Sequence, residues 1–260
     1  MTEEGPIISS SEPSQGMFTR MLNLWASYRR MLMVGIIAIA LSGFLWSLEP
    51  HTRRAIASGL WANQSLIALM LVFGLLTLSL LWSAGQRLDA SIFLLFNLRG
   101  YHPLWLDRLM WVLTQIGSGV IGILLGIGLY FAKHQRLATQ LLLGILSLWL
   151  VVEIIKALVD RRRPFMVLES TRVIGWRERG LSFPSGHTAQ SFFMAVVFTQ
   201  YLQASLFTGG LLYMVAIAVG LTRIYVGAHY PRDVIGGAIL GSIWGILSRL
   251  LQAYWFNISV

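Results

Sequence analysis

No cysteine occurs in the 260 residues, so no disulfide framework, thiolate metal site or cysteine nucleophile can be built from this chain. Charge is scarce as well. Asp, Glu, Lys and Arg make up 12%, about half the roughly 25% of an ordinary soluble domain. Lysine is nearly missing: only Lys133 and Lys156 stand among the 20 Lys+Arg. These shortages exclude a disordered chain, a collagen and a coiled coil. What is present points the other way. Residues AVILMFWYC account for 56%, with 25 glycines besides, more apolar surface than a water-soluble globule can cover. The few charges are lopsided, with a net charge of +9 carried almost wholly by arginine.

The first residues, 1 to about 15, are rich in Ser, Pro and Glu without periodicity, and 1–30 reads as a flexible tail. From there apolar runs alternate with short charged breaks, and a span needs about 20 residues. Met31 to Leu48, bounded by Arg30 and Glu49, sits at the lower limit and is left open as an extra N-terminal span within a segment 31–64. Leu66–Trp82, the stretch between Arg108 and Lys133, and Leu137–Leu158 read as spans. A charged loop, Asp160–Gly180, follows. Arg179 to Arg223 encloses no charge and is long enough for two spans, with Thr208-Gly209-Gly210 as the expected turn. Asp233 to Arg249 is the last run. The expected fold is all-α: a polytopic membrane helix bundle with a six-span core. Leu88–Asp107 holds Asp89, Ile92, Phe93, Phe96 and Asn97, and Phe93 stands three residues from Phe96 and four from Asn97, which predicts a short amphipathic helix lying in the interface, with a solvated loop as the alternative. Gly237, Gly241 and Gly245 lie four apart in the last run and predict close helix packing.

Ionisable groups at or near membrane spans are functional suspects. They fall into three clusters: Lys156 to Arg163-Pro164; Pro184-Ser185-Gly186-His187; and Thr222-Arg223, His229 and Asp233. Counting crossings puts all three on one membrane face. Lys156, Arg163 and Arg223 are three cations, and arginine forks match phosphate oxygens two at a time. Ser185 and Gly186 open a helix whose N–H groups suit an anion. Asp233, four residues after His229, could accept the Nδ1–H of His229 and leave Nε2 free to attack. With His187 as acid, this is a coherent phosphoryl-transfer site without metal.

These residues resemble the type 2 phosphatidic acid phosphatase superfamily, whose signature runs Lys-x6-Arg-Pro, Pro-Ser-Gly-His, Ser-Arg-x5-His-x3-Asp. The chain carries Lys156…Arg163-Pro164, Pro184-Ser185-Gly186-His187 and Thr222-Arg223…His229…Asp233, departing only in Thr222 for Ser. The likeness covers about 66–250 and suggests a membrane phosphatase domain over 65–255. It implies that His229 is the nucleophile forming a phosphohistidine, that Asp233 orients it and that His187 protonates the leaving oxygen. Lys156, Arg163, Ser185, Gly186 and Arg223 would hold the phosphate. It implies no metal and no cofactor, and a lipid phosphate or diphosphate as substrate: phosphatidic acid, phosphatidylglycerol phosphate or a polyprenyl diphosphate. A phosphotransferase on the same site, or a non-catalytic lipid-binding or transport protein, are the alternatives.

The remaining polar residues take plainer readings. Glu153 is expected to pair with Lys156. Asp160, Arg161 and Arg162 read as a solvated or headgroup-facing run, Arg172, Arg177, Glu178 and Arg179 as loop surface or as contacts to a lipid headgroup, and Arg232 as a flank. His51, His102 and His134 read as interface residues. The expected partners are the bilayer and a membrane lipid phosphate, not nucleic acid; nothing in the pattern fixes an oligomeric state. The family likeness favours a bacterial plasma membrane with the site on the outer face. A raw positive-inside count opposes this, but it is contaminated by arginines assigned to phosphate.

Overall fold

Every long apolar run becomes helix, and no strand occurs among the described residues. The computed structural model describes residues 28, 32–33, 35–40, 42–99 and 102–257. The expected tail, 1–27 with Arg29 and Arg30, lies outside them. Chain contacts divide the protein into two units, Met1–Arg53 and Arg54–Val260. In the first, the short apolar helix α1 (Gly35–Ser47) occupies most of the expected N-terminal run. The Arg53 guanidinium lies 5.4 Å from the Trp46 ring centroid.

The boundary falls within the next helix, from which the order continues. Helix α2 (Pro50–Ala62) leads into α3 (Gln64–Ser79), α4 (Ser83–Leu98), α5 (Leu104–Gln115) and α6 (Gly119–Phe131). Then come α7 (Gln135–Val159), the single turn α8 (Pro164–Val167), α9 (Gly186–Tyr201), α10 (Leu206–Tyr225) and α11 (Pro231–Asn257). Side-chain caps set several starts: Asn63 accepts from the Leu66 N–H at 3.1 Å, and Ser118 from that of Ile121 at 3.3 Å. Asp160 ends α7 in the left-handed conformation, φ 54°.

Helix α9 is the centre of this unit. Leu137, Leu141, Ile145, Leu148 and Val152 form one stripe on α7 and bury against Ala189, Phe193, Met194 and Val197 of α9, with Leu240 of α11. The glycine stripe of α11 lies on the other side of α9. A Cβ at Gly241 would collide with the Ala189 carbonyl, and one at Gly245 would come within 2.6 Å of Val196. The outward faces stay apolar: Leu71, Leu75 and Leu78 on α3, Leu143, Leu146 and Leu150 on α7, and Met214, Ile217 and Leu221 on α10 are exposed. Such stripes suit lipid and not water.

Three helical segments are long and apolar enough to cross a membrane: Gln135–Val167, Leu206–Tyr225 and Pro231–Leu251. Two bent pairs, α2 with α3 and α5 with α6, raise this to five if each pair is one span. The stretch between Arg108 and Lys133 is therefore not one straight rod. It bends by 52° between α5 and α6, because Gly117 sits against the His187 carbonyl and the Ser191 hydroxyl and Ser118 starts a new helix. Helix α9 has 16 residues, or about 24 Å at 1.5 Å per residue, short of a hydrocarbon core of about 30 Å. The turn expected at Thr208-Gly209-Gly210 falls earlier. Ser205 caps the Thr208 N–H at 3.2 Å and starts α10 there, which leaves both glycines inside its first turns.

Candidate active site

Three elements converge beneath the loop that joins α8 to α9. The Val226–Tyr230 turn between α10 and α11 carries His229, whose N–H is held by the Arg223 carbonyl at 3.2 Å. The extended stretch after α7 delivers Arg163, and the N-terminus of α9 delivers Gly186 and His187. Lys156, Arg163, Gly186, His187 and His229 line one cavity of about 550 Å³, whose apolar wall includes Ile145, Trp149 and Val152. A second cavity of about 550 Å³ meets it at Glu178 and His187 and is lined by Arg223, Thr114 and Trp176.

Arg163 is the hub. Its Nη1 lies 2.8 Å from Glu178 Oε2, 3.3 Å from the Ala228 carbonyl and 3.3 Å from His229 Nε2. A guanidinium only donates, so the last contact requires Nε2 to be the unprotonated nitrogen. The proton of a neutral His229 is then on Nδ1, the side facing Asp233. Arg223 donates to Thr114 Oγ1 at 2.8 Å and forms an ion pair with Glu178. His187 Nδ1 is 3.8 Å and His229 Nε2 3.9 Å from the same carboxylate.

Electrostatics follow from this crowding. Burial pushes the Glu178 carboxyl up, but the guanidinium charges of Arg223 and Arg163 outweigh it and hold it well below the usual carboxylate range. Burial, then Arg163 and Arg223, drives His229 well below an ordinary histidine, with Glu178 opposing. A neutral ring at pH 7 keeps the Nε2 lone pair available.

The expected site residues are not all equivalent. Lys156 lines the cavity while pairing with Glu153 at 2.8 Å. Ser185 is buried: its hydroxyl accepts from Thr188 Oγ1 at 2.9 Å, and its N–H goes to the Asp233 carbonyl at 2.9 Å. Asp233 is fully buried behind His229, with Oδ2 at 3.7 Å from Nδ1, beyond hydrogen-bond reach. Its Oδ1 takes Arg161 Nη1 at 2.5 Å, and its Oδ2 takes Ser182 Oγ at 2.5 Å and the Tyr230 N–H at 2.8 Å. Among the described residues, no group of three His, Asp or Glu side chains stands as a metal site would need.

Four plain readings give way here. Glu178 is not loop surface but the carboxylate at the centre of the cations. Arg161 is not solvated: it is 8% exposed and also bonds Asp89 and Gln86 of α4. Arg172 ties the loop down, bonding Asp107 at 2.8 Å, while Asn97 holds its N–H at 2.9 Å. Arg232 anchors α4 through Asp89 at 3.2 Å. A sequence signal existed for Arg161. The residue before a proline is pushed toward extended backbone, and in extended backbone side chains alternate. Arg161 and Arg163 are buried and Arg162 is exposed, as that alternation requires.

Known proteins resemble this chain in sequence and in fold. A family model of the PAP2 superfamily matches residues 137–257. An undecaprenyl-diphosphatase of Sulfolobus acidocaldarius is 28% identical over 187 residues, 71% of this chain and 90% of that protein. The crystal structure of a transmembrane PAP2-type phosphatidylglycerolphosphate phosphatase from Bacillus subtilis superposes with a TM-score of 0.61. It is 23% identical and covers 75% of this chain and 96% of its own, a likeness of fold. The crystal structure of LpxE from Aquifex aeolicus gives a TM-score of 0.56, is 33% identical, and covers 62% of this chain and 94% of its own.

Proposed function

Since the chain belongs to the PAP2 superfamily, we propose that it is an integral-membrane lipid phosphatase using His229 as nucleophile, without a metal. The observation that carries this reading is the convergence of Arg163, Arg223, His187 and the Nε2 of His229 on a single carboxylate, that of Glu178. A substrate phosphate recognised by Arg163, Arg223 and His187 displaces Glu178 from them and meets the Nε2 lone pair of His229.

The chemistry then balances in two steps. His229 Nε2 attacks phosphorus, the P–N bond forms and the P–O bond to the lipid breaks. Burial, then Arg223, lowers His187 below an ordinary histidine, so the proton it passes to the leaving oxygen is one it takes up with the anionic phosphate. Arg163, Arg223 and Lys156 stabilise the charge spread over the equatorial oxygens. Water next attacks phosphorus and gives a proton to His187. The P–N bond breaks and inorganic phosphate leaves. Asp233, 3.7 Å from Nδ1, takes up the Nδ1–H as the site tightens on substrate and so keeps Nε2 free. The apolar wall of Ile145, Trp149 and Val152 beside Lys156 suits a lipid tail. The substrate class is a lipid monophosphate or diphosphate, the phosphatase domain spans 65–255, and the site faces the outer side of a bacterial plasma membrane.

Purified protein offered phosphatidate, phosphatidylglycerol phosphate and a polyprenyl diphosphate in EDTA is expected to release phosphate from at least one, with inhibition by vanadate. His229→Ala is expected to lose at least about 1000-fold in kcat. Full turnover in that variant overturns the mechanism.

A further inference from the structure

His229 lacks a hydrogen bond at Nδ1, and Asp233 is the carboxylate that faces it. Oδ1 of Asp233 accepts from Arg161, while Oδ2 accepts from Ser182 Oγ and the Tyr230 N–H, about as many as one carboxylate oxygen holds. A bond from Nδ1 to Oδ2 must share that oxygen with these two. His229 Nδ1 is buried, has no partner, and lies 3.7 Å from Oδ2. Hydrogen bonds of this kind are often long until substrate binds. Which oxygen of Asp233 faces the ring, and how firmly, therefore depends on what holds the carboxylate from behind.

That holder is Arg161. Its Nη1 takes Asp233 Oδ1, while Nη2 takes Asp89 and, at 2.8 Å, Gln86 Oε1. Its guanidinium carbon lies 4.3 Å from the Tyr230 ring centroid, over one face. Edge and face of the planar fork are both engaged, so it cannot turn without breaking several contacts. Asp89 in turn accepts the Arg232 N–H at 3.0 Å, so α4 and the start of α11 share the anchor.

We propose that Arg161 is a positioning residue for the phosphatase reaction: it pins Oδ1 of Asp233 so that Oδ2 is presented to His229 Nδ1, linking helix α4 to the nucleophile. This rests on the assignment of His229 made above. Arg161 touches no reacting atom and acts through Asp233 alone.

A double-mutant cycle on purified protein tests it. Arg161→Gln is expected to lower kcat about 10–100-fold, a part of what a positioned proton-transfer group contributes, with KM within about twofold. Arg161→Lys, which can reach only one carboxylate at a time, falls between. In an Asp233→Asn background, Arg161→Gln is expected to change kcat by less than about twofold. An equal loss in both backgrounds, a loss carried by KM, or an unchanged kcat overturns the proposal. Should Arg161→Gln fail to fold, Asp89→Asn/Arg161→Gln restores the buried charge balance. It must then be slower than Asp89→Asn alone by the same 10–100-fold, and equality overturns the proposal. Failure of the underlying reading looks different, because His229→Ala would then stay active.

Discussion

A carboxylate amid two arginines and two histidines competes with any other anion for the same donors. Glu178 bonds both Arg163 and Arg223, and its side chain is 28% exposed, so it can swing outward without unfolding anything. The trade is between charge balance and ligand affinity. Glu178→Gln removes the competitor but leaves two buried guanidinium groups facing each other. Vanadate or inorganic phosphate is expected to bind about tenfold more tightly to this variant, about 1.4 kcal/mol. Its Tm is expected to fall in anion-free buffer and to recover as phosphate is added, by linkage. Titration followed by thermal unfolding checks both, and an unchanged affinity means Glu178 does not compete with anions. The acid side of stability has a definite sign. The Glu178 carboxyl is depressed in the folded state, so its contribution is present above the unfolded carboxylate value and is lost only as pH falls toward the lower folded one. At this scale the motif residues were legible because phosphate chemistry needs few residue types at fixed spacings. Glu178 and Ser182 carried no such signal. What brings Glu178 inward is a loop whose Arg172 is held by Asn97 and Asp107, more than 60 residues away in the sequence.

Helix α11 shows how an element can be set by what its residues leave out. Its glycines allow α9 to approach until backbone meets backbone, and membrane helices associate through such packing because lipid offers no hydrophobic gain between them. Gly241→Ala pushes a methyl into the Ala189 carbonyl, and backbone cannot give way as a flexible side chain can. The expected cost is about 1–3 kcal/mol. It also moves Ser185 and Asp233, which sit on the same two helices. Gly128→Ala is the control: nothing stands within 4 Å of its Cβ, and α6 gains helix propensity, so stability is expected to hold or rise by up to about 1 kcal/mol. Thermal unfolding in detergent separates the two, and equal behaviour removes the packing account. The four-residue spacing made this stripe readable. The bend at Gly117 was not readable, because no charge marks it and its cause is the distant His187 carbonyl. Helix starts followed a similar division. Ser205 outcompeted the glycine pair because a capping hydrogen bond fixes a boundary more firmly than local flexibility does.

For the molecule as a whole, part of the arginine content that accompanies a mean hydropathy of +0.67 is internal wiring. Arg161, Arg163, Arg172, Arg223 and Arg232 all bond carboxylates within the fold. They are unavailable to set topology by attraction to the cytoplasmic side, so a raw charge count overweights the face that carries the site. Orientation must be read from accessibility instead, and the lack of cysteine makes the chain a clean background for it. Trp176 is 83% exposed in the loop over the site, and Gln135 is exposed at the far end of the Gln135–Val167 span. With the proposed outward-facing site, Trp176→Cys is expected to react with a membrane-impermeant maleimide on intact cells. Gln135→Cys should react only after permeabilisation. The reverse pattern would place the site on the cytoplasmic side, where only lipids of the inner leaflet could reach the cradle. Labelling of both from one side would mean that α7 does not cross the bilayer, and the bundle would then need a different arrangement of its remaining spans.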